Sequence, residues 1–220
     1  MDHQAQVSFI SYITYYILFY RTSRWVYEIN LWFNPCILLQ NVLGKGTMCQ
    51  KIVEEYGYTH LSAGELLRLE QNTANSPHGE LIEKHMISGT IVPVAITCSL
   101  LLRAMIESNN DRFLVDGFPR NQDNLNGWVK EMNPEEVNVT GVLNFSCDPS
   151  VSIDRCLKRG AKGSGRSDDE EDVLKKRFVT HTVSTLPIVE YYRKMGIVFE
   201  INANETVDTM YNEIKSKFVF

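Results

Sequence analysis

LLQNVLGKGTMCQKIVEEYGYTHLSAGELLR, residues 38–68, is the stretch on which the reading of the whole chain turns. Gly44-Lys45-Gly46-Thr47 opens an amphipathic run that continues to Tyr56 and stops at Gly57. A helix that starts at GKGT presents unpaired backbone N–H groups and the positive end of its dipole, which suits a phosphate. Lys45 adds a mobile point charge suited to the β/γ-phosphates of a nucleotide, and Thr47 adds a hydroxyl for the water shell of Mg²⁺. A phosphate-binding loop of the form G-x-x-x-x-G-K-[ST] would place its first glycine at position 39, where this chain has Leu39. Half of the motif is there and half is not.

Working outward, helical periods alternate with short β-rich runs. Residues 63–71, 79–88 and 94–107 read as helices, the last behind Pro93, where a helix start tolerates proline. FLVD (113–116), GVLNF (141–145) and IVFEI (197–201) read as buried strands, and residues 36–39 can supply a first strand. Residues 148–158, 168–194 and 205–217 read as helices, the second with a bend near Pro187. Strands alternating with helices predict a parallel α/β sheet, whose ligands lie at the carboxyl ends of the strands. Asp116 ends FLVD at that edge.

The bulk properties narrow the class. A chain of 220 residues with net charge −5 has the length for a substantial core and no general affinity for nucleic acid. Phosphate chemistry must therefore come from local arginines. Cys36, Cys49, Cys98, Cys147 and Cys156 are scattered, odd in number and form no C-x-x-C pair, which predicts reduced thiols and no zinc. Residues 7–20 (VSFISYITYYILFY) are uncharged and aromatic but short and polar for a membrane span. Residues 1–6 carry Asp2 and no Lys or Arg, a poor start for a signal peptide.

Four further segments carry a resemblance: LSAGELLR (61–68), GTIVPV (89–94), FLVDGFPRNQDNLNGW (113–128) and RGAKGSGRSDDEEDVLKKR (159–177). In this order and spacing, from Gly44 to the C-terminus, the chain resembles the nucleoside monophosphate kinases of the adenylate kinase superfamily. GYTHLSAGELLR and DGFPRNQDNLNGW are most similar to the branch that acts on UMP and CMP. The resemblance implies a three-layer P-loop fold on a five-stranded parallel sheet, with a monophosphate-binding segment at about 62–92 and a short lid at about 159–169. It implies transfer of the ATP γ-phosphoryl group, with Mg²⁺, to CMP or UMP in pyrimidine nucleotide metabolism. It implies a cytoplasmic protein, with a nuclear pool as an option, and a monomer with ATP and CMP/UMP as partners, without nucleic acid or membrane.

Residue by residue, the resemblance makes Lys45, Asp116, Arg120, Arg166 and Arg177 catalytic. Arg68 and Arg120 match the clamps on the monophosphate. Arg159, Arg166 and Arg177 match the arginines that close over the ATP phosphates and the transferred group. Thr90, Ile91, Val92 and Gly117 match the monophosphate pocket, and Gly44, Lys45, Gly46, Thr47 and Ile197 the ATP side. Asp116 matches the acid that orients the water ligands of Mg²⁺, so no residue binds the metal directly. Asp168 and Asp169 match a pair that holds the lid arginine. Asn121 and Asn124 follow the GFPR arginine, and amides offer both donor and acceptor to a pyrimidine edge; Asn124 is the expected base reader. Gly64 is expected to allow close backbone approach.

Residues 1–43 depart from the pattern. The family loop reads approximately G-G-P-G-x-G-K-G-T, and this chain has Leu39-Gln40-Asn41-Val42-Leu43 before Gly44. A phosphate nest needs successive N–H groups turned inward, a geometry that Leu39 and β-branched Val42 suit badly. Two alternatives therefore stand beside the kinase at this stage: an impaired pseudokinase that binds a monophosphate or a protein partner, and a kinase anchored to a membrane through residues 7–20.

Overall fold

The computed structural model describes residues 34–40, 45–132, 137–161 and 171–217, within the unit Phe33–Phe220. The 7–20 run, Gly44, Arg166 and the Asp168–Asp169 pair lie outside the described residues, as does most of the expected lid.

Five strands run through this unit: β1 (Asn34–Gln40), β2 (Thr59–Ser62), β3 (Phe113–Asp116), β4 (Val137–Ser146) and β5 (Val198–Asn202). Their order is β2-β3-β1-β4-β5, and every pairing is parallel. β1 is central, hydrogen-bonded to β3 on one side and β4 on the other. Its Cys36-Ile37-Leu38-Leu39 core is the unbroken apolar run expected of a strand covered on both faces. The N-terminal segment thus supplies the middle of the sheet although its sequence departs from the family pattern.

Helices α1 (Lys45–Tyr56), α2 (Ala63–Gln71), α3 (Gly79–Ser88), α4 (Val94–Glu107), α5 (Gln122–Glu131), α6 (Pro149–Ala161), α7 (Glu171–Thr180), α8 (Leu186–Lys194) and α9 (Val207–Lys217) complete the described elements. The strand alternation sorts the core into two clusters. Phe113 and Val115 of β3 and Val142 of β4 pack with Leu101 of α4, Trp128 of α5 and Ile188 of α8. Leu114 of β3, Leu143 and Phe145 of β4 and Ile201 of β5 pack with Ile52 of α1 and Met210 and Ile214 of α9. Helices on both faces of one sheet make three layers. A third cluster, with Leu67, Ile82, Met86, Val92 and Ile96, ties α2, α3 and α4 to one another.

Local signals explain the boundaries. Gly57, at φ +69°, ends α1, and its N–H donates to the Val53 carbonyl at 2.9 Å. Ser62 caps α2 by accepting from the Glu65 N–H, and Asn121 caps α5 by accepting from the Asn124 N–H at 2.8 Å. The helix expected over 168–194 is interrupted: α7 gives way to a π-helical segment, His181–Thr185, before α8 begins. Pro187 sits at the start of α8, lacks an N–H and crowds the carbonyl four residues back, and the widened turn accommodates it. β2 is absent from the sequence reading because THLS is four residues long and polar at three of them.

α4 and α5 meet at a glycine. A Cβ on Gly127 would lie 2.2 Å from Val94 Cγ2. Gly127→Ala should therefore destabilise: about 1–3 kcal/mol of overpacking outweighs the roughly 1 kcal/mol gained in helix propensity. In a thermal melt we expect Tm to fall by about 2–4 °C. An unchanged or raised Tm would show that Val94 moves aside freely.

Cys49, Cys98, Cys147 and Cys156 form no disulfide. Cys49, Cys98 and Cys156 are buried, and burial pushes the Cys98 thiol up to about 11. On the other face Tyr211 of α9 donates its hydroxyl to Glu55 of α1 at 2.6 Å. Burial first, then that bond, raises the phenol's pKa, so both partners hold the protonation states the contact needs.

Candidate active site

A cavity of about 490 Å³ opens at the carboxyl end of the sheet, within the size range of small-molecule sites. It is bordered by Gly46 and Thr47 of the first turn of α1, by Asp116 at the end of β3, and by Arg68, Arg120 and Arg177 from three separate segments. Thr90, Ile91, Val92, Gly117 and Asn124 also line it. Most of the described residues expected at the site converge on this one space.

Lys45 is the first residue of α1. Arg159 belongs to α6. Ile197 stands apart from the cavity wall: its carbonyl accepts from the Val142 N–H at 2.8 Å and its side chain packs on the core. Asn121 likewise does not line the cavity and serves as the cap of α5.

The Arg120 loop is held at several points. The Arg120 backbone N–H donates to Asn124 Oδ1 at 3.1 Å, and its Nε donates to the Gly117 carbonyl at 2.7 Å. Gly117 is at φ +76°, a conformation that favours glycine, and a Cβ there would stand 2.9 Å from an Arg120 guanidinium nitrogen, which would have to swing aside. Asn124 is buried at 2% exposure and spends its oxygen on the loop, which leaves its amide N–H groups for the cavity it borders.

Arg68 reaches back along its own helix. Its Nε and a terminal nitrogen donate to the two oxygens of Glu65, at 3.3 and 2.8 Å. Gly64 lies beneath the same guanidinium, where a Cβ would come within 3.2 Å. Asp116 faces His60, whose Nε2 lies 3.8 Å from Oδ2, an ion-pair distance longer than a hydrogen bond. Sequence reasoning did not single out His60, Glu65 or Thr185. His60 could have been found only by recognising β2, which places it beside β3 in register with Leu114. Among the described residues no group of three His, Cys, Asp or Glu side chains could hold a metal ion. No helix among them is long and apolar enough to cross a membrane.

Residues 40–197 match the adenylate kinase family model. The UMP-CMP kinases of Rattus norvegicus and Homo sapiens are each 52% identical to this chain over 180 residues, which span 80% of the chain and 91% of each relative. The UMP-CMP kinase of Xenopus laevis is 50% identical over 180 residues, 80% of this chain and 92% of its own length.

Proposed function

The chain belongs to the adenylate kinase family, and from that premise we propose that it is an ATP-dependent kinase that phosphorylates CMP and UMP. The observation that carries this is the convergence of a helix N-terminus, a carboxylate and three arginines on one cavity. Phosphoryl transfer asks the protein for little covalent chemistry. It asks for two anions held in line and for positive charge where the transferring group passes.

The roles follow from position. The N–H groups at Gly46 and Thr47, with Lys45, take the donor phosphates. Arg68 and Arg120 grip the acceptor phosphate, in a planar bidentate geometry that lysine lacks. To do so Arg68 exchanges Glu65 for the phosphate, or is shared between them. Arg177, carried on α7, borders the same cavity and stabilises charge on the group in transit, with Arg159 and Arg166 of the lid joining on closure. Closure excludes water, which would otherwise hydrolyse ATP.

The residues present fit a nucleotide-borne Mg²⁺. That ion keeps most of its waters and takes phosphate oxygens, so it needs few protein ligands. The Thr47 hydroxyl and the Asp116 carboxylate border the same cavity and would hold its water shell. When bound, the ion neutralises charge on the phosphates. Placement in the cytoplasm, with or without a nuclear pool, goes with the same reading, as does a monomer.

Base choice rests on Asn124, whose amide borders the cavity while its oxygen is fixed. A site that hydrogen-bonds its base penalises a mismatch because buried polar groups are stranded. With ATP as donor and each acceptor alone or in competition, CMP and UMP should be phosphorylated in preference to AMP. AMP used as efficiently as CMP would overturn the pyrimidine assignment and leave the kinase assignment standing.

A further inference from the structure

Thr185 is the last residue of the π-helical segment and is 4% exposed. Its hydroxyl donates to the Arg120 carbonyl at 2.8 Å, across 65 positions of sequence. It borders the cavity together with Leu174, Arg177, Phe178 and His181, which recur at helical spacing along the run that contains α7. We infer that Thr185 is a positioning residue for phosphoryl transfer: it fixes the Arg120 loop against the helical run that carries Arg177. This rests on the reading of Arg120 as a phosphate clamp.

Three hydrogen bonds help to orient Arg120. Asn124 accepts from its N–H, Gly117 accepts from its Nε, and Thr185 donates to its carbonyl. The first two contacts lie within the loop and the helix that follows it. Only a contact from elsewhere can set the loop's position relative to Arg177, and Thr185 makes one. The π-helical turn matters to that contact. A helix in this wider winding carries its side chains round by a different angle than an α-helix, so the turn governs where the Thr185 hydroxyl points. Two guanidiniums must meet one phosphoryl group within a fraction of an ångström, so a small slip of the loop lowers rate more than it lowers affinity for ATP.

The test is a substitution series on the full chain with CMP and ATP. Thr185→Val keeps the shape and removes the hydroxyl. It should lower kcat by about three- to tenfold, the range set by the net worth of one neutral hydrogen bond, with KM for ATP changed less than about twofold. Thr185→Ser keeps the donor and should stay within about twofold of the native kcat. In an Arg120→Ala background, Thr185→Val should have no further effect on the residual rate. If the valine variant does not fold, Thr185→Ala and Thr185→Ser are compared in the same way.

Native kcat in the valine or alanine variant would overturn the inference. So would a serine variant as slow as valine, or an undiminished effect in the Arg120→Ala background. A fully active Arg120→Ala protein would instead remove the clamp reading on which the inference stands, so the two failures are distinguishable.

Discussion

Arg120→Ala should lower the rate of phosphoryl transfer to CMP by about 10²–10³, the cost of removing one charge clamp from a transferring group. The fold should survive the change. The Nε bond to the Gly117 carbonyl lies within the loop itself, and the backbone contacts to Asn124 and Thr185 do not need the guanidinium. Tm should therefore move by no more than a few degrees while kcat/KM for CMP collapses. Arg120→Lys should recover little, because an ammonium cannot take two phosphate oxygens in one plane. Steady-state kinetics with a melt of the same preparation separate the two effects. Near-normal turnover in the alanine variant would defeat the assignment of Arg120.

Most helices of this fold were legible because they carry their own punctuation, whereas α5 (Gln122–Glu131), with two asparagines and a glycine in its run, was not read as a helix. Gly57 closes α1, Ser62 opens α2, Pro93 precedes α4, and the apolar spacing between them is regular. FLVD was legible because a strand with neighbours on both sides and helices on both faces must be apolar throughout. β2 was not, because among the described residues it is an edge strand paired only with β3 and tolerates Thr, His and Ser. The candidate site residues that line the cavity were picked out as segments resembling a family. Their hydrogen-bond economy was not. Asn124 reads as a base contact in sequence, yet its oxygen belongs to the Arg120 backbone, and Asn121 turns out to be a helix cap. The π-helical turn leaves only Pro187 as a trace in the sequence, so the link from Thr185 to Arg120 could come only from coordinates.

Replacing residues 39–43 (Leu-Gln-Asn-Val-Leu) by Gly-Gly-Pro-Gly-Ala should raise both ATP affinity and turnover by at least about tenfold, which requires recovering only about 1.4 kcal/mol. Each non-glycine residue forced into a nest conformation costs on the order of 1–3 kcal/mol. Leu39 and Gln40 belong to β1, with Leu39 in register with Asp116 on one side and Leu143 on the other. The connection to α1, which starts at Lys45, must therefore be made within Asn41-Val42-Leu43-Gly44, where only the last residue is glycine. Val42, branched at Cβ, is the residue least suited to turn its N–H toward a phosphate. The proposed acceptor side, residues 64–124, does not depend on this connection. CMP binding, measured by isothermal titration without ATP, should change little when the loop is replaced, while ATP binding strengthens. The replacement also removes two side chains from the central strand, so a modest fall in Tm is expected alongside the gain in rate. Equal ATP affinity and turnover in the two proteins would show that Asn41-Val42-Leu43 forms a competent phosphate loop of its own, and that glycine count is the wrong measure of it.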